Sequence, residues 1–188
     1  TASGKTDYRE KALSTMASFQ KVFASKKPIQ YYHGSLYPSV TDARAGLIAA
    51  AIQTSLDLYD ITLDQTWLDY ANEWLTYLCE HYIVDNRLEE SPPSCRLMNL
   101  PVVDYRMIFD QSTIGVMKQN CGRLAMAGRK VPDQIMQLCQ LSFDTLNAAS
   151  VSHTDYLLGL LYQENHAILS VPADAGEDLR QAVTRLPL

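Results

Sequence analysis

The stretch LDLYDITLDQTWLDYANEWLTYL, residues 56–78, decides the fold. Apolar residues recur at helical spacing on both sides of the short acidic turn DITLD, a pattern typical of helices that bury one face. In the second helix that stripe consists of Trp67, Ala71, Trp74, Leu75, Leu78 and Tyr82. Because the turn is short, the two helices are expected to run antiparallel. The stretch therefore predicts a helical hairpin with both tryptophans in its core.

The same periodicity predicts helices on both sides of this hairpin. They cover residues 7–26, 41–59, 113–128, 132–149, a short segment opened by Ser152, and 175–186, where Leu179 is expected to pack inward. Between the last two, HAILSV (residues 166–171) reads as a short strand. The prediction is an all-α helical-hairpin domain over residues 1–165, followed by a small βα appendage over residues 166–188.

Polar residues ahead of the apolar runs predict helix starts. Thr41 or Asp42 is expected to cap the helix of residues 41–59, and Thr62 with Gln65 has the spacing of a capping box for the next helix. Gly128 suits a position just past a helix end.

Composition limits the classes of partner. The 188 residues suffice for one domain with its own core. Sixteen Lys and Arg against 21 Asp and Glu give a net charge of −5, and the scattered basic residues argue against nucleic acid. Apolar runs are too short for a transmembrane helix, and the start TASGKTDYREK does not resemble a signal peptide.

Cysteine spacing bears on cofactors and compartment. Four cysteines, Cys79, Cys95, Cys121 and Cys139, lie far apart, without a C-x-x-C pair or a histidine at metal-ligand spacing. Reduced core thiols in a cytoplasmic protein are favoured over disulfides or a zinc site. No phosphate-binding glycine loop occurs, so no metal, nucleotide or other cofactor is expected.

Two long connections interrupt the helical pattern. PIQYYHGSLYPSV covers residues 28–40, and a second connection covers residues 83–110. An up-and-down helical array would place both at the same end, and long connections often carry function. We call this end of the molecule the loop-rich rim, residues 28–44 and 83–112.

The segment TDARAGLIAAAIQTSLDLYDITLDQTWLDYANEWL, residues 41–75, resembles part of the toroid domain of thioredoxin-like, spermatogenesis-associated-type proteins. In that family an Asp precedes a helix that ends in Leu-acidic-Leu-Tyr-acidic, and a Thr-x-Asp turn and a Trp-Leu-x-x-Ala helix follow. The matching positions here are Asp42, LDLYD at 56–60, Thr62, Asp64, Trp67, Leu68 and Ala71, with Asp110 matching the Asp before a later helix. The resemblance covers residues 7–129.

This resemblance implies half of an (α/α)6 toroid, as in the N-acylglucosamine 2-epimerase and six-hairpin glycosidase-like superfamily. A ring of that kind has twelve helices, so the chain is expected to belong to a longer protein or to close its open edge against a partner. The family's Pro-Ser-Gly-Asn-Ser run is replaced here by Ile114 to Lys118. Any activity that depends on that run is therefore in doubt.

Aromatic and histidine side chains in the first connection form one candidate ligand site. His33 stands among Tyr31, Tyr32 and Tyr37, whose rings suit stacking on sugars at a cavity mouth. Ordinary packing within the loop is the favoured alternative.

Carboxylates at the rim form a second candidate. Glu89 and Glu90 are adjacent, as a general acid and base pair can be, although a solvated loop is favoured. Asp42 and Asp110 stand near predicted helix starts, where an Asp ordinarily caps the helix. The alternative is that both point into the ring. The charge partners then expected at the rim are Arg44, Arg106 and Asp104.

Two functions follow as hypotheses. The favoured one is a non-catalytic interaction or scaffold domain that docks with the missing half of the toroid or with a partner subunit, including another copy of itself. The alternative is a carbohydrate-directed enzyme or sugar-binding domain that uses the loop-rich rim, and its only support is analogy of fold.

Overall fold

The computed structural model describes residues 6–22, 30–32, 40–42, 44–92, 100–106 and 110–184. The α-helices are α1 Thr6–Val22, α2 Ala45–Thr62, α3 Gln65–Tyr82, α4 Thr113–Met126, α5 Asp133–Leu138, α6 Phe143–Ala148, α7 Thr154–Glu164 and α8 Glu177–Val183, with a 3-10 helix at Ser150–His153. Two antiparallel strand pairs join β1 Gln30–Tyr32 to β2 Val40–Asp42 and β3 Ile83–Val84 to β4 Arg87–Leu88. The predicted all-α class is confirmed.

Helices α2 and α3 form the predicted hairpin. Leu63 turns the chain with a left-handed backbone (φ 55°), and Asp64 caps α3 by accepting a hydrogen bond from the Thr66 N–H at 3.0 Å. The predicted capping box is wrong, because α2 continues through Thr62 and the Thr62 hydroxyl donates to the Leu58 carbonyl at 2.6 Å. Asp64, one residue before α3, takes the capping role instead.

The core is formed by the facing stripes of α2 and α3 together with buried residues of α4, such as Met117 and Leu124. Trp74 is 1% exposed, and Ile48, Ile52 and Leu78 have no exposed surface. Trp67 is only half-buried, so one of the two tryptophans expected in the core lies at its border. The hydrophobic stripe read from residues 56–78 is therefore the main packing surface of the hairpin.

Helices α2, α4 and α7 run parallel to one another. Between α2 and α4, Gly46 lies against Thr113, and Arg123 near the end of α4 pairs with Asp57 and Asp60 near the end of α2. Between α4 and α7, contacts advance in the same order on both helices, and the pairs are Gly115 with Asp155, Gln119 with Gly159, and Gly122 with Gln163. Their N-termini therefore lie at one end of the molecule.

Residues 132–149 do not form one helix as predicted. The chain breaks between α5 and α6, where Ser142 caps α6 by accepting from the Thr145 N–H at 3.2 Å. The Tyr156 hydroxyl of α7 accepts a hydrogen bond from the Leu141 N–H at 3.1 Å. A side chain from another helix thus satisfies the backbone at the break, which residues 132–149 alone do not reveal.

The predicted C-terminal appendage is formed only in part. Its helix is α8, but residues 166–172 have no regular structure, and Ile168 is 65% exposed. No described strand lies beside this segment, so its backbone has no ladder to join. Leu179 in α8 is 50% exposed and does not pack inward as predicted.

Within the part of the chain that the structure describes, no helix combines the length and the apolar composition needed to cross a lipid bilayer.

Candidate functional site at the rim

The rim is built where α2, α4 and α7 begin. Strand β2 leads toward α2, and the Ala45 N–H at the start of α2 donates to the Glu90 carbonyl at 3.0 Å. The second long connection, residues 83–110, therefore reaches the start of α2.

Glu90 supplies the cap that α2 lacks in its own sequence. The N-cap position is Arg44, whose side chain does not cap, so the predicted position at Thr41 or Asp42, both in β2, is wrong. Glu90 Oε2 accepts from the Gly46 N–H at 3.4 Å and from Arg44 Nε at 3.2 Å. A carboxylate at this position also complements the helix dipole.

The expectation that Glu89 and Glu90 lie in a solvated loop is wrong. They are 1% and 3% exposed. Strands β3 and β4 turn the chain back through Asp85 and Asn86, both with positive φ, and the Glu89 N–H then donates to the Tyr82 carbonyl at 2.9 Å. The hairpin folds the two glutamates against the end of α3, a packing that local sequence does not specify.

Asp155 supplies a second cap in the same manner. Its Oδ2 accepts from the Ser112 N–H at 2.6 Å and from the Ser112 hydroxyl at 2.8 Å, and its Oδ1 accepts from the Tyr156 N–H at 2.8 Å. The Ser112 oxygen in turn accepts from the Gly115 N–H at 3.0 Å. A buried carboxylate on α7 thus holds the first turn of α4 in place.

Gly115 is what allows this approach. A Cβ at that position would overlap the Asp155 carboxylate. The role of Gly115 is steric, since it lies in a helix where glycine otherwise weakens the backbone.

The remaining N–H groups in the first turn of α4 are also occupied. Asp104 accepts from the Thr113 N–H through Oδ2 at 3.3 Å and from the Ile114 N–H through its carbonyl at 3.0 Å. Because the protein itself satisfies these donors, the start of α4 offers no open set of N–H groups to an anion.

Some polar atoms at the rim lack such partners. Among the residues that the structure describes, no hydrogen-bond partner occurs for Glu90 Oε1 or for either ring nitrogen of His153, which is fully buried. Tyr105 stacks on His153 with ring centroids 6.2 Å apart, and the Arg106 guanidinium lies 5.3 Å from the Tyr105 ring centroid. Of these side chains, only Tyr105 and Arg106 are exposed to solvent.

Among the described residues, no contact brings the other predicted site residues together at the rim. Asp110 is exposed, and its Oδ1 accepts from the Gln111 N–H at 2.8 Å, so Ser112 rather than Asp110 caps α4. Tyr32 and Asp42 lie in the strand pair β1–β2. His33 and Tyr37 lie outside the described residues.

Sequence reasoning missed the polar residues buried along α4. Gln119 Nε2 donates to the Asp155 carbonyl, and Asn120 Nδ2 donates to the Ala49 carbonyl, each at 2.8 Å. Lys118 is 6% exposed, and its Nζ lies 5.9 Å from the Tyr156 ring centroid. The run of three polar residues within an otherwise largely apolar helix was the available signal, but its spacing alone does not show that all three are buried.

The thiols are unsuited to nucleophilic chemistry. Cys79, Cys121 and Cys139 are free, and burial raises the pKa of Cys79 to about 11, that of Cys139 to about 12 and that of Cys121 well above its ordinary value. A protonated thiol is a poor nucleophile and metal ligand. The described residues contain no group of three or more His, Cys, Asp or Glu side chains placed to hold a metal ion. Cys95 lies outside the described residues.

Comparison with models of known protein families found none that matches this chain, and comparison with curated proteins found no match.

Proposed function

We propose that this chain is a non-catalytic interaction domain that forms one part of a larger helical assembly. The observation that carries the proposal is the unequal burial of two neighbouring parallel helices. Every residue of α4 from 113 to 122 is buried, whereas α7 exposes Leu158, Leu161 and Tyr162. Helix α7 therefore resembles an edge of an array that continues in another helical unit.

The rim chemistry supports the same proposal. Glu90 and Asp155, the carboxylates with the most contacts there, accept hydrogen bonds from the first turns of α2 and α4. Groups engaged in holding helix ends are poorly placed to exchange protons with a substrate. These carboxylates therefore have a structural role at the rim.

The parallel course of α2, α4 and α7 also agrees with the proposed toroid relationship. In such a ring, inner helices run parallel and each is followed by an outer helix of opposite direction, as α2 is followed by α3. The free thiols of Cys79, Cys121 and Cys139 favour a reducing, cytoplasmic location.

The experiment is a native mass measurement combined with binding of a fluorescent apolar dye. We expect either an assembly larger than one chain or a monomer that binds dye through α7. The double variant Leu158→Ala/Leu161→Ala should reduce either signal, whereas Leu100→Ala/Val102→Ala should not, although Leu100 and Val102 are 61% and 56% exposed. A monomer that binds no dye would refute the proposal.

A carbohydrate-binding rim is the second candidate. It is favoured by the Glu90 oxygen that lacks a partner among the described residues, and by the His153 nitrogens that also lack one, on a ring against which Tyr105 stacks. Titration with monosaccharides and oligosaccharides, followed by tryptophan and tyrosine fluorescence, tests it. A response that disappears in Glu90→Gln and His33→Ala supports it, and no response to any sugar in the panel removes it.

A further inference from the structure

The exposed face of α7 is an apolar stripe at helical spacing. Val151, just before the helix, is 80% exposed, and Leu158, Leu161 and Tyr162 are 38%, 58% and 43% exposed. The opposite side of the helix carries Gly159, which lies against Gln119 of α4. A helix with apolar residues on both sides is typical of a buried position.

No described segment of the chain covers the stripe. Helix α7 has 11 residues, whereas each stretch outside the described residues has at most seven. The described helix that follows, α8, leaves its own Leu179 half exposed. Among the described residues, the apolar face of α7 is therefore left uncovered.

Exposed acidic side chains lie on α7 itself and on the neighbouring helix α6. Glu164 lies in the last turn of α7 beside Leu161, and Asp144 lies on α6, which packs against the 3-10 helix that carries Val151. Over residues 143–184 the exposed carboxylates are Asp144, Glu164, Asp174, Glu177 and Asp178. The one Lys or Arg of this segment is Arg180, whose guanidinium already donates to the carbonyls of Ala173 and Ala175.

From this combination we infer that α7 is the docking surface for an amphipathic helix whose apolar face is flanked by Lys or Arg. The inference rests on the proposed interaction function and names its partner. A second copy of the chain fits less well, because pairing two α7 stripes would bring like-charged borders together. An apolar stripe with oppositely charged borders is a common arrangement for binding one helix.

The test uses the full chain and two labelled synthetic helices of about 18 residues, which have the same Leu stripe but Lys or Glu on its flanks. Fluorescence anisotropy should show the Lys peptide binding at least roughly tenfold more tightly than the Glu peptide, with affinity falling as salt rises. The double variant Leu158→Ala/Leu161→Ala should lower the affinity for the Lys peptide roughly tenfold. The control variant Leu100→Ala/Val102→Ala should keep that affinity within about twofold of the wild-type value.

The inference is overturned by any of three results. The two peptides bind with equal affinity, the Lys peptide binds wild type and Leu158→Ala/Leu161→Ala equally, or the Lys peptide does not bind. The same samples separate this failure from failure of the proposed function. A homodimer that dissociates in Leu158→Ala/Leu161→Ala would support the proposed interaction function and contradict the inference that the partner is a basic helix. A monomer that binds neither dye nor peptide would reject both.

Discussion

Helices α4 and α7 lie side by side in the same direction, yet composition and burial are reversed between them. Helix α4 contains Lys118, Gln119 and Asn120, and all three are buried. Helix α7 contains the run YLLGLLY, and Leu161 within it is 58% exposed. Burial here follows position in the helical array more closely than apolar character.

The reversal has a physical explanation. Helix α4 has a parallel neighbour on each side, so its polar side chains must bond to those neighbours, as Asn120 does to the Ala49 carbonyl at 2.8 Å. Among the described helices, α7 has such a neighbour on one side only. Its second apolar face is the surface that we propose as a docking site.

The largest expected difference comes from removing one leucine from each helix. Leu124 in α4 has no exposed surface, so Leu124→Ala should lower the free energy of unfolding by about 3 kcal/mol through lost burial and a new cavity. Leu161→Ala in α7 should change it by less than about 0.5 kcal/mol. Urea unfolding of both variants measures this, and equal losses would contradict the contrast between the helices.

Gly115→Ala tests the close contact between the two helices. An alanine ordinarily stabilises a helix by about 1 kcal/mol relative to glycine, but this methyl group would overlap the Asp155 carboxylate. We expect a net loss of roughly 2 to 3 kcal/mol in unfolding free energy. Gly176→Ala is the control, since nothing lies within 4 Å of its Cβ position. A stabilised Gly115→Ala protein would show that α7 does not hold this carboxylate against α4.

Asp155→Asn tests the cap that α7 provides to α4. The amide has one acceptor oxygen in place of two, so a buried donor on Ser112 or Tyr156 loses its partner, at a cost of about 2 kcal/mol. Thermal unfolding and hydrogen exchange at the Ser112 amide measure the effect. The exposed Asp174→Asn should leave both unchanged, and unchanged exchange at Ser112 in Asp155→Asn would exclude the cap.

Alkaline pH should lower the free energy of unfolding because of a buried thiol. Burial raises the pKa of Cys139 from 9.0 to about 12, so between these values the unfolded chain loses this proton while the folded protein keeps it. Stability is therefore lost as pH rises above about 9, at up to about 1.4 kcal/mol per pH unit for this thiol. Unfolding at pH 8 and pH 10 should show a shallower decline in Cys139→Ala than in wild type. Parallel declines would contradict the burial of Cys139.

The sequence correctly predicted the structural elements that depend on residues close together in the chain. The 3.6-residue repeat identified the α2–α3 hairpin, and Gly128 just past α4 has the left-handed backbone (φ 76°) expected there. The capping box failed because Thr62 belongs to the last turn of α2, and a boundary error of that size reverses the role of a polar residue.

The candidate site was less predictable. Arg44 and Glu90 were selected and do meet, but Glu90 was expected in solvent and is instead buried at the start of α2. Asp155 lies in the first turn of its own helix α7, yet it caps α4 across 43 residues of sequence. A hydrogen bond between segments so far apart leaves no periodic trace in the sequence.

By itself the sequence determined the all-α class, the antiparallel hairpin and the stripe that buries Trp74, because these depend on the spacing of apolar residues along one chain. Only the tertiary structure decided which carboxylates cap α2 and α4, why Gly115 is required, and which leucines are left exposed on α7. The physical reason is that capping, close approach and burial are set by neighbours in space. The burial of α4 and α7 therefore follows whether another helix lies beside them, and composition alone does not decide it.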